Sequence, residues 1–306
     1  MLQMLICQLF VILGVFFEEN SKMSDRKKIQ VIIDSTVDMA DRLKDRVKTV
    51  PLIVSFGDRE YLDGIDLSRD DFYRELEAGQ LLPKTSQPSP ASFEKIFEEI
   101  HESAEEGIVI TVASKLSGTY QSACLAAEDY PEISVVDSET VAVGTGILAE
   151  YALRCIDRGL PRDEIISQLN QKKDEICLVA MLDTLEYLKR GGRISKTVAF
   201  AGGVLNIKPV VTVKDGEILI LGKARGTKKA NNFLVEEIQK NGIDYSLPIL
   251  LGYTGTSTEL LDKYIESSRS LWEGQVDELN SSQICSVVGT HAGPGAVAVA
   301  FFAKRP

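Results

Sequence analysis

Residues 107–159, GIVITVASKLSGTYQSACLAAEDYPEISVVDSETVAVGTGILAEYALRCIDRG, contain the same unit twice: a short apolar run, a turn of Ser, Thr, Gly or Asp, then an amphipathic helical pattern. That is the punctuation of strand–loop–helix units in a parallel sheet, where each strand is covered by helices and so reads as apolar. Working outward, IQVIIDST (29–36) leads into VDMADRLKDRV (37–47) in the same way, which predicts a further helix there. KTSQPSPASFEKIFEEIHESAEEG (84–107) is a turn with two prolines feeding a helix, with Ser or Thr available to cap it. The first half therefore predicts a doubly wound parallel sheet in three α/β/α layers over residues 29–174.

After about residue 175 the rhythm changes. ICLVAMLDTLEYLKRGGRISKTVAFAGGVLN (176–206) is followed by IKPVVTVKDGEILILGKARG (207–226), a β-hairpin turning at Asp215-Gly216. A further strand, LPILLGYTG (247–255), passes through Thr254, Gly255, Thr256 and Ser257 into a helix. These patterns predict a mixed-sheet α/β domain over 175–306, with a ligand tunnel at or near its interface with the first domain.

At 306 residues and 44% hydrophobic, the chain buries a sizeable core. A formal charge of −11 supplies no basic field for a phosphate backbone, which argues against nucleic acid as a partner. The five cysteines are scattered, without a Cys-x-x-Cys pair or metal-ligand spacing, so reduced thiols and a cytoplasmic location are expected. Residues 1–28 form an apolar N-terminal extension beginning MLQMLICQLFVILGVFF. Its flanks lack the basic start and small-residue cleavage site of a signal peptide, and Met23 opens a plausible globular start. The extension is read as a start-site artefact or, alternatively, an anchor, and membrane association is expected only if it is real.

Several stretches carry chemistry. ASKLSGTYQSA (113–123) puts Ser117, Gly118 and Thr119 between a strand and a helix, where free N–H groups favour an anion; helix capping explains the same residues. Asp34, Ser35 and Thr36 carry the same ambiguity. LPKTSQPSP (82–90) offers Thr85 and Ser86 in a stretch that its prolines hold semi-extended. GTHAGPGAVAVAFF (289–302) sets His291, one of two histidines, against a Gly-Pro-Gly turn and an apolar run; a structural histidine is the plainer alternative to one orienting a polar head group. Two basic loops, Lys189, Arg190, Arg193 and Lys196, then Lys223, Arg225, Lys228 and Lys229, suit an anionic group or acidic partner, or are simply solvated. GTGILA (144–149) lacks the preceding strand of a dinucleotide fingerprint, and GGRISKT (191–197) lacks the second glycine of a P-loop. His101 reads as a surface residue, and no cofactor or metal site is expected.

Taken together, DSTVD (34–38), KTSQPSP (84–90), LSGTYQSA (116–123), VVDS (135–138), LKRGGRIS (188–195), LNIKPV (205–210) and HAGPGA (291–296) resemble the DegV family, in order and spacing over essentially all of 29–306. The resemblance implies a two-domain α/β protein holding one long-chain fatty acid in a tunnel, as the binding subunit of a bacterial fatty acid kinase serving phospholipid synthesis. It implies that Thr85 and Ser117 hold the carboxylate, with Ser86, Gly118, Thr119 and His291 around it. His291 and a nearby Arg225 would support phosphoryl transfer, and Arg193 would face the ATP-dependent kinase subunit, which would bring the nucleotide and Mg²⁺. Met39 stands where the family usually has leucine. Two other readings use the same residues: an autonomous acyl hydrolase or transferase with Ser117 as nucleophile and His291 as base, and a lipid-sensing regulatory protein.

Overall fold

The computed structural model describes residues 27–79, 81–194 and 206–304. The apolar run at 1–17, Met23, Lys196 and the segment around them lie outside the described residues. The first half contributes β1 (Ile29–Asp34), β2 (Val47–Val50), β3 (Ile53–Phe56), β4 (Arg59–Leu62), β5 (Lys84–Ser86), β6 (Glu106–Thr111) and β7 (Ile133–Asp137). The second half contributes β8 (Ile176–Met181), β9 (Ile207–Lys214), β10 (Glu217–Arg225), β11 (Leu250–Tyr253), β12 (Ser281–Gln283) and β13 (Val297–Phe302).

Four strands form the expected parallel sheet in the order β2-β1-β6-β7. Alternation along each strand sends its side chains to both faces. Ile32 and Val109 pack under helices Pro90–Glu102 and Thr119–Ala126, while Val31, Ile33, Ile108 and Ile110 pack under Val143–Asp157. The sheet is thus doubly wound. Six strands form the mixed sheet, β10-β9-β8-β13-β11-β12, antiparallel except for β11 with β12. The expected hairpin joins β9 to β10, with Asp215 at φ 50° and Gly216 at φ 76°, the two left-handed residues that a two-residue turn of this twist demands.

Helix Val143–Asp157 ties the two sheets together. It is buried along nearly its whole length, and Ile147 and Leu148 belong to one continuous core with Val31 of β1, Leu250 of β11 and Phe302 of β13. A helix apolar all round is buried on every side. GTGILA lies within this helix, where its glycines serve packing: a Cβ on Gly146 would collide with the Asp38 carbonyl.

Two features depart from expectation. VDMADRLKDRV forms only a 3₁₀ turn, Asp41–Arg46, because the preceding residues are held by distant partners: Asp38 N–H donates to Ala142 O, and its carboxylate accepts from Cys285 N–H and pairs with Arg69. Three strands, β4-β3-β5, form a separate antiparallel sheet beside helix Arg69–Ala78. Its core, with Leu52, Phe56, Phe72 and Tyr73, also holds Cys285 and Val287. This small layer carries Thr85 on β5. Met39 is buried in the main core. Cys124, Cys155, Cys177 and Cys285 are free thiols. Among the described residues, no helix is long and apolar enough to cross a membrane.

Candidate functional site

A cavity of about 410 Å³ lies between the two sheets, within the roughly 300–1,000 Å³ range of small-molecule sites. The first half supplies Thr36, Leu52, Val112, Leu116 and Val141; the second supplies Leu178, Leu182, Val211, Ile284 and Val288 among others. Neither half encloses it alone.

Polar groups gather at one end. Thr85 lies on β5 and His291 on helix Ser286–Ala292, and the Thr85 Oγ1 to His291 Nε2 distance is 3.0 Å. Ser117 and Gly118 come from the loop after β6, with Gly118 at the N-cap of helix Thr119–Ala126. No side chain caps that helix; Ser117 Oγ bonds Thr119 Oγ1 at 2.8 Å, and its contact with Thr119 N–H is long, at 3.4 Å. The first turn thus keeps backbone donors directed at the loop, the arrangement that favours an anion. Gly118 lets Gln87 approach closely, its carboxamide occupying the space a Cβ would take. Gln87 in turn donates to Ser122 Oγ at 2.9 Å.

Arg193 is half-buried and lines the same cavity. Its Nε donates to Leu116 O at 3.1 Å and its Nη1 to Gly191 O at 2.6 Å, so one guanidinium stitches the loop after β6 to the turn after helix Glu186–Arg190. Gly191 lies close against the imidazole, and a Cβ there would collide with His291 Nδ1. Burial, then the Arg193 charge, lower the His291 pKa to about 4. The imidazole is therefore neutral at physiological pH, and among the described residues Arg193 is the cation that faces the cavity.

The remaining wall is largely apolar, and its threonine hydroxyls bond within the protein. Thr212 Oγ1 donates to Leu178 O at 2.8 Å, Thr254 Oγ1 accepts from Ala296 N–H at 2.7 Å, and Thr36 Oγ1 donates to Asp34 at 2.5 Å. The hydroxyl protons of Thr212 and Thr36 are thereby engaged, whereas Thr254, which accepts, keeps its own. Asp34 also accepts from the N–H groups of Thr36 and Val112, and Ser35 Oγ accepts from Leu52 N–H, so the Asp34, Ser35 and Thr36 turn is structural.

The structure brings Thr85, Ser86, Ser117, Gly118, His291 and Arg193 to one cavity. Thr119 is buried behind Ser117 and touches it instead of lining the cavity. Arg225 is not brought there. It is exposed at the end of β10, on the outward phase of the strand, and is absent from the lining. Arg193, expected to face a partner, is half-buried and built into the cavity wall. His101 is a surface residue paired with Glu132 at 2.6 Å. Sequence reading missed Gln87 and the apolar lining residues of β8, β9, β11 and β13; the alternation of those strands marks a buried face but not which face is left unfilled.

The hydrolase arrangement is not present among the described residues. His291 Nε2 meets Thr85 and not Ser117, and Nδ1 has no protein partner among the described residues, so no carboxylate orients the ring as a base.

The DegV family profile matches residues 28–304. A DegV domain-containing protein of Caldanaerobacter subterraneus subsp. tengcongensis is 36% identical over 286 residues, covering 91% of this chain and all of that protein. Among solved structures, a fatty-acid-binding DegV family protein from Thermus thermophilus superposes with a TM-score of 0.81 at 30% identity, covering 90% of this chain and all of the other. A stearic acid-binding protein from Eubacterium ventriosum gives a TM-score of 0.77 at 30% identity over 90% of this chain and 98% of the other. The fold, the profile match along nearly all the described chain and the full-length relative agree: the chain belongs to the DegV family.

Proposed function

We propose that this chain binds one long-chain fatty acid, with the carboxylate at Thr85 and Ser117 and the tail between the two sheets, and presents it to a separate ATP-dependent kinase subunit for conversion to an acyl phosphate. The observation that carries this reading is the gathering of Thr85, Ser117, Gly118, His291 and Arg193 at one cavity whose Thr36 and Thr212 hydroxyl protons are engaged within the protein. The fatty acids held by the Thermus and Eubacterium relatives support it.

The hydrogen-bond network favours one arrangement of protons. With the proton of neutral His291 on Nε2, the ring donates to Thr85, which leaves the Thr85 hydroxyl proton for a ligand oxygen. Thr119 donating to Ser117 frees the Ser117 proton in the same way. Two hydroxyls and the first turn of helix Thr119–Ala126 then satisfy a carboxylate, with Arg193 balancing its charge from beside the same end. A ligand oxygen left free of these donors is the nucleophile that the partner's phosphoryl donor requires. Each buried methylene adds roughly 0.8 kcal/mol, so the tail supplies most of the affinity and the polar end the orientation. Autonomous catalysis has no place in this reading.

Native followed by denaturing mass spectrometry of the purified protein tests the binding step. One fatty acid released per chain supports it, and a protein that stays empty after incubation with fatty acids refutes it. Acyl phosphate formation with a partner kinase tests the second step.

A further inference from the structure

The register of the mixed sheet places Gly252 of β11 opposite Ala298 of β13, Ala298 opposite Ala180 of β8, and Ala180 opposite Val211 of β9. All four line the cavity. Large residues flank this row along β8, with Leu178 on one side of Ala180 and Leu182 on the other. A line of small side chains between larger ones is a trough running across the strands. Three strand spacings of roughly 4.8 Å make it about 14 Å long.

The two ends differ. Near β9 the cavity meets Ile218, Leu116 and Arg193, the last two beside the polar end. At Gly252 the trough is closed: a Cβ there would lie 2.6 Å from Ile284 Cδ1 and 3.1 Å from Val143 Cγ1. The absence of a side chain at 252 lets Ile284 and Val143 come down onto the sheet. Helix Ser286–Ala292 runs over the trough from just past Ile284 to His291, about 10 Å of helix, which sets the stop and the polar end apart along one rigid element.

Resting on the fatty-acid reading above, the structure assigns Ile284, seated on Gly252 and backed by Val143, as the stop that sets acyl-chain length, with Ala180 and Ala298 as the floor that admits the tail. Ile284 is buried in the core joining the two sheets, and its backbone carbonyl accepts from Tyr73 Oη at 3.0 Å, so the stop is held from behind. An extended chain of ~1.5 Å carbon–carbon bonds advances about 1.25 Å per carbon, so the trough takes about eleven methylenes.

The test is competitive loading of the purified protein with a mixture of saturated fatty acids of graded length, read by mass spectrometry of the bound lipid. Ile284→Ala shifts the bound distribution toward longer chains by about two carbons, the space vacated along the chain axis. Ala180→Val and Ala298→Val shift it the other way or reduce total uptake several-fold. Ile284→Val, which removes one methyl group, gives a smaller shift in the first direction should the alanine variant not fold. An unchanged length distribution in Ile284→Val and Ala180→Val, with the lipid still bound, overturns the assignment of the stop. A wild-type protein that takes up none of the mixture overturns the fatty-acid reading itself, which is a different result.

Discussion

Replacing His291 with glutamine tests whether the imidazole enters the site uncharged. Its pKa is held at about 4 against an ordinary 6.5, first by burial and then by Arg193. Above pH 6.5 the ring is neutral in both folded and unfolded chains and adds no pH dependence. Between 6.5 and 4 the unfolded chain takes up a proton that the folded chain refuses, so the fold loses stability as pH falls through that window. At about 1.4 kcal/mol per unit, the wild type near pH 5 carries a penalty of about 2 kcal/mol that His291→Gln does not. Asp38 acts oppositely: burial raises its pKa to about 7 despite the Arg69 charge, so falling pH between 7 and 3.8 favours the fold. It does so in both proteins and largely cancels in their difference. Urea unfolding of both, near pH 7.5 and near pH 5, gives that difference; the expected result is a shift of about 2 kcal/mol toward the variant at the lower pH. A difference that stays constant, or that moves toward the wild type, would mean that His291 carries its proton in the fold, and the neutral-imidazole argument fails.

Thr85→Val with Ser117→Ala keeps much of the shape but removes two donors; at roughly 1.5–3 kcal/mol for each bond to a charged group, fatty acid affinity falls about 10²- to 10⁴-fold, and unchanged affinity in a displacement assay refutes the head-group assignment. Gly191→Ala pushes a methyl into His291 Nδ1 at an ordinary backbone conformation, so it lowers both melting temperature and fatty acid affinity, checked by calorimetry and displacement. His291→Ala retains lipid but fails to support acyl phosphate formation by a partner kinase, and wild-type rates in that assay would make the histidine structural. Arg193→Met weakens binding of a fatty acid more than of the matching fatty alcohol, and equal loss for both would show that the guanidinium acts only by bridging Leu116 and Gly191.

Strand periodicity, the Asp215-Gly216 turn and the strand–loop–helix punctuation of 107–159 are local signals, and they determined the parallel sheet, the hairpin and the mixed character of the second sheet. The motifs at 84–90, 116–123 and 291–296 likewise marked Thr85, Ser117 and His291 before any contact between them was visible. Tertiary structure decided what those residues meet. Thr85 and His291 are 206 positions apart and touch only because the small β4-β3-β5 layer packs on helix Ser286–Ala292. The neutrality of His291 comes from burial and from a guanidinium some hundred residues away in the chain, and neither leaves a mark in local sequence. Arg193 and Arg225 sit in similar basic loops, yet one is built into the cavity and the other is solvated, because their positions depend on which face of the fold each turn closes against. The trough is the clearest case: Gly252, Ala298 and Ala180 are unremarkable in three separate strands, and only the register of the sheet sets them side by side.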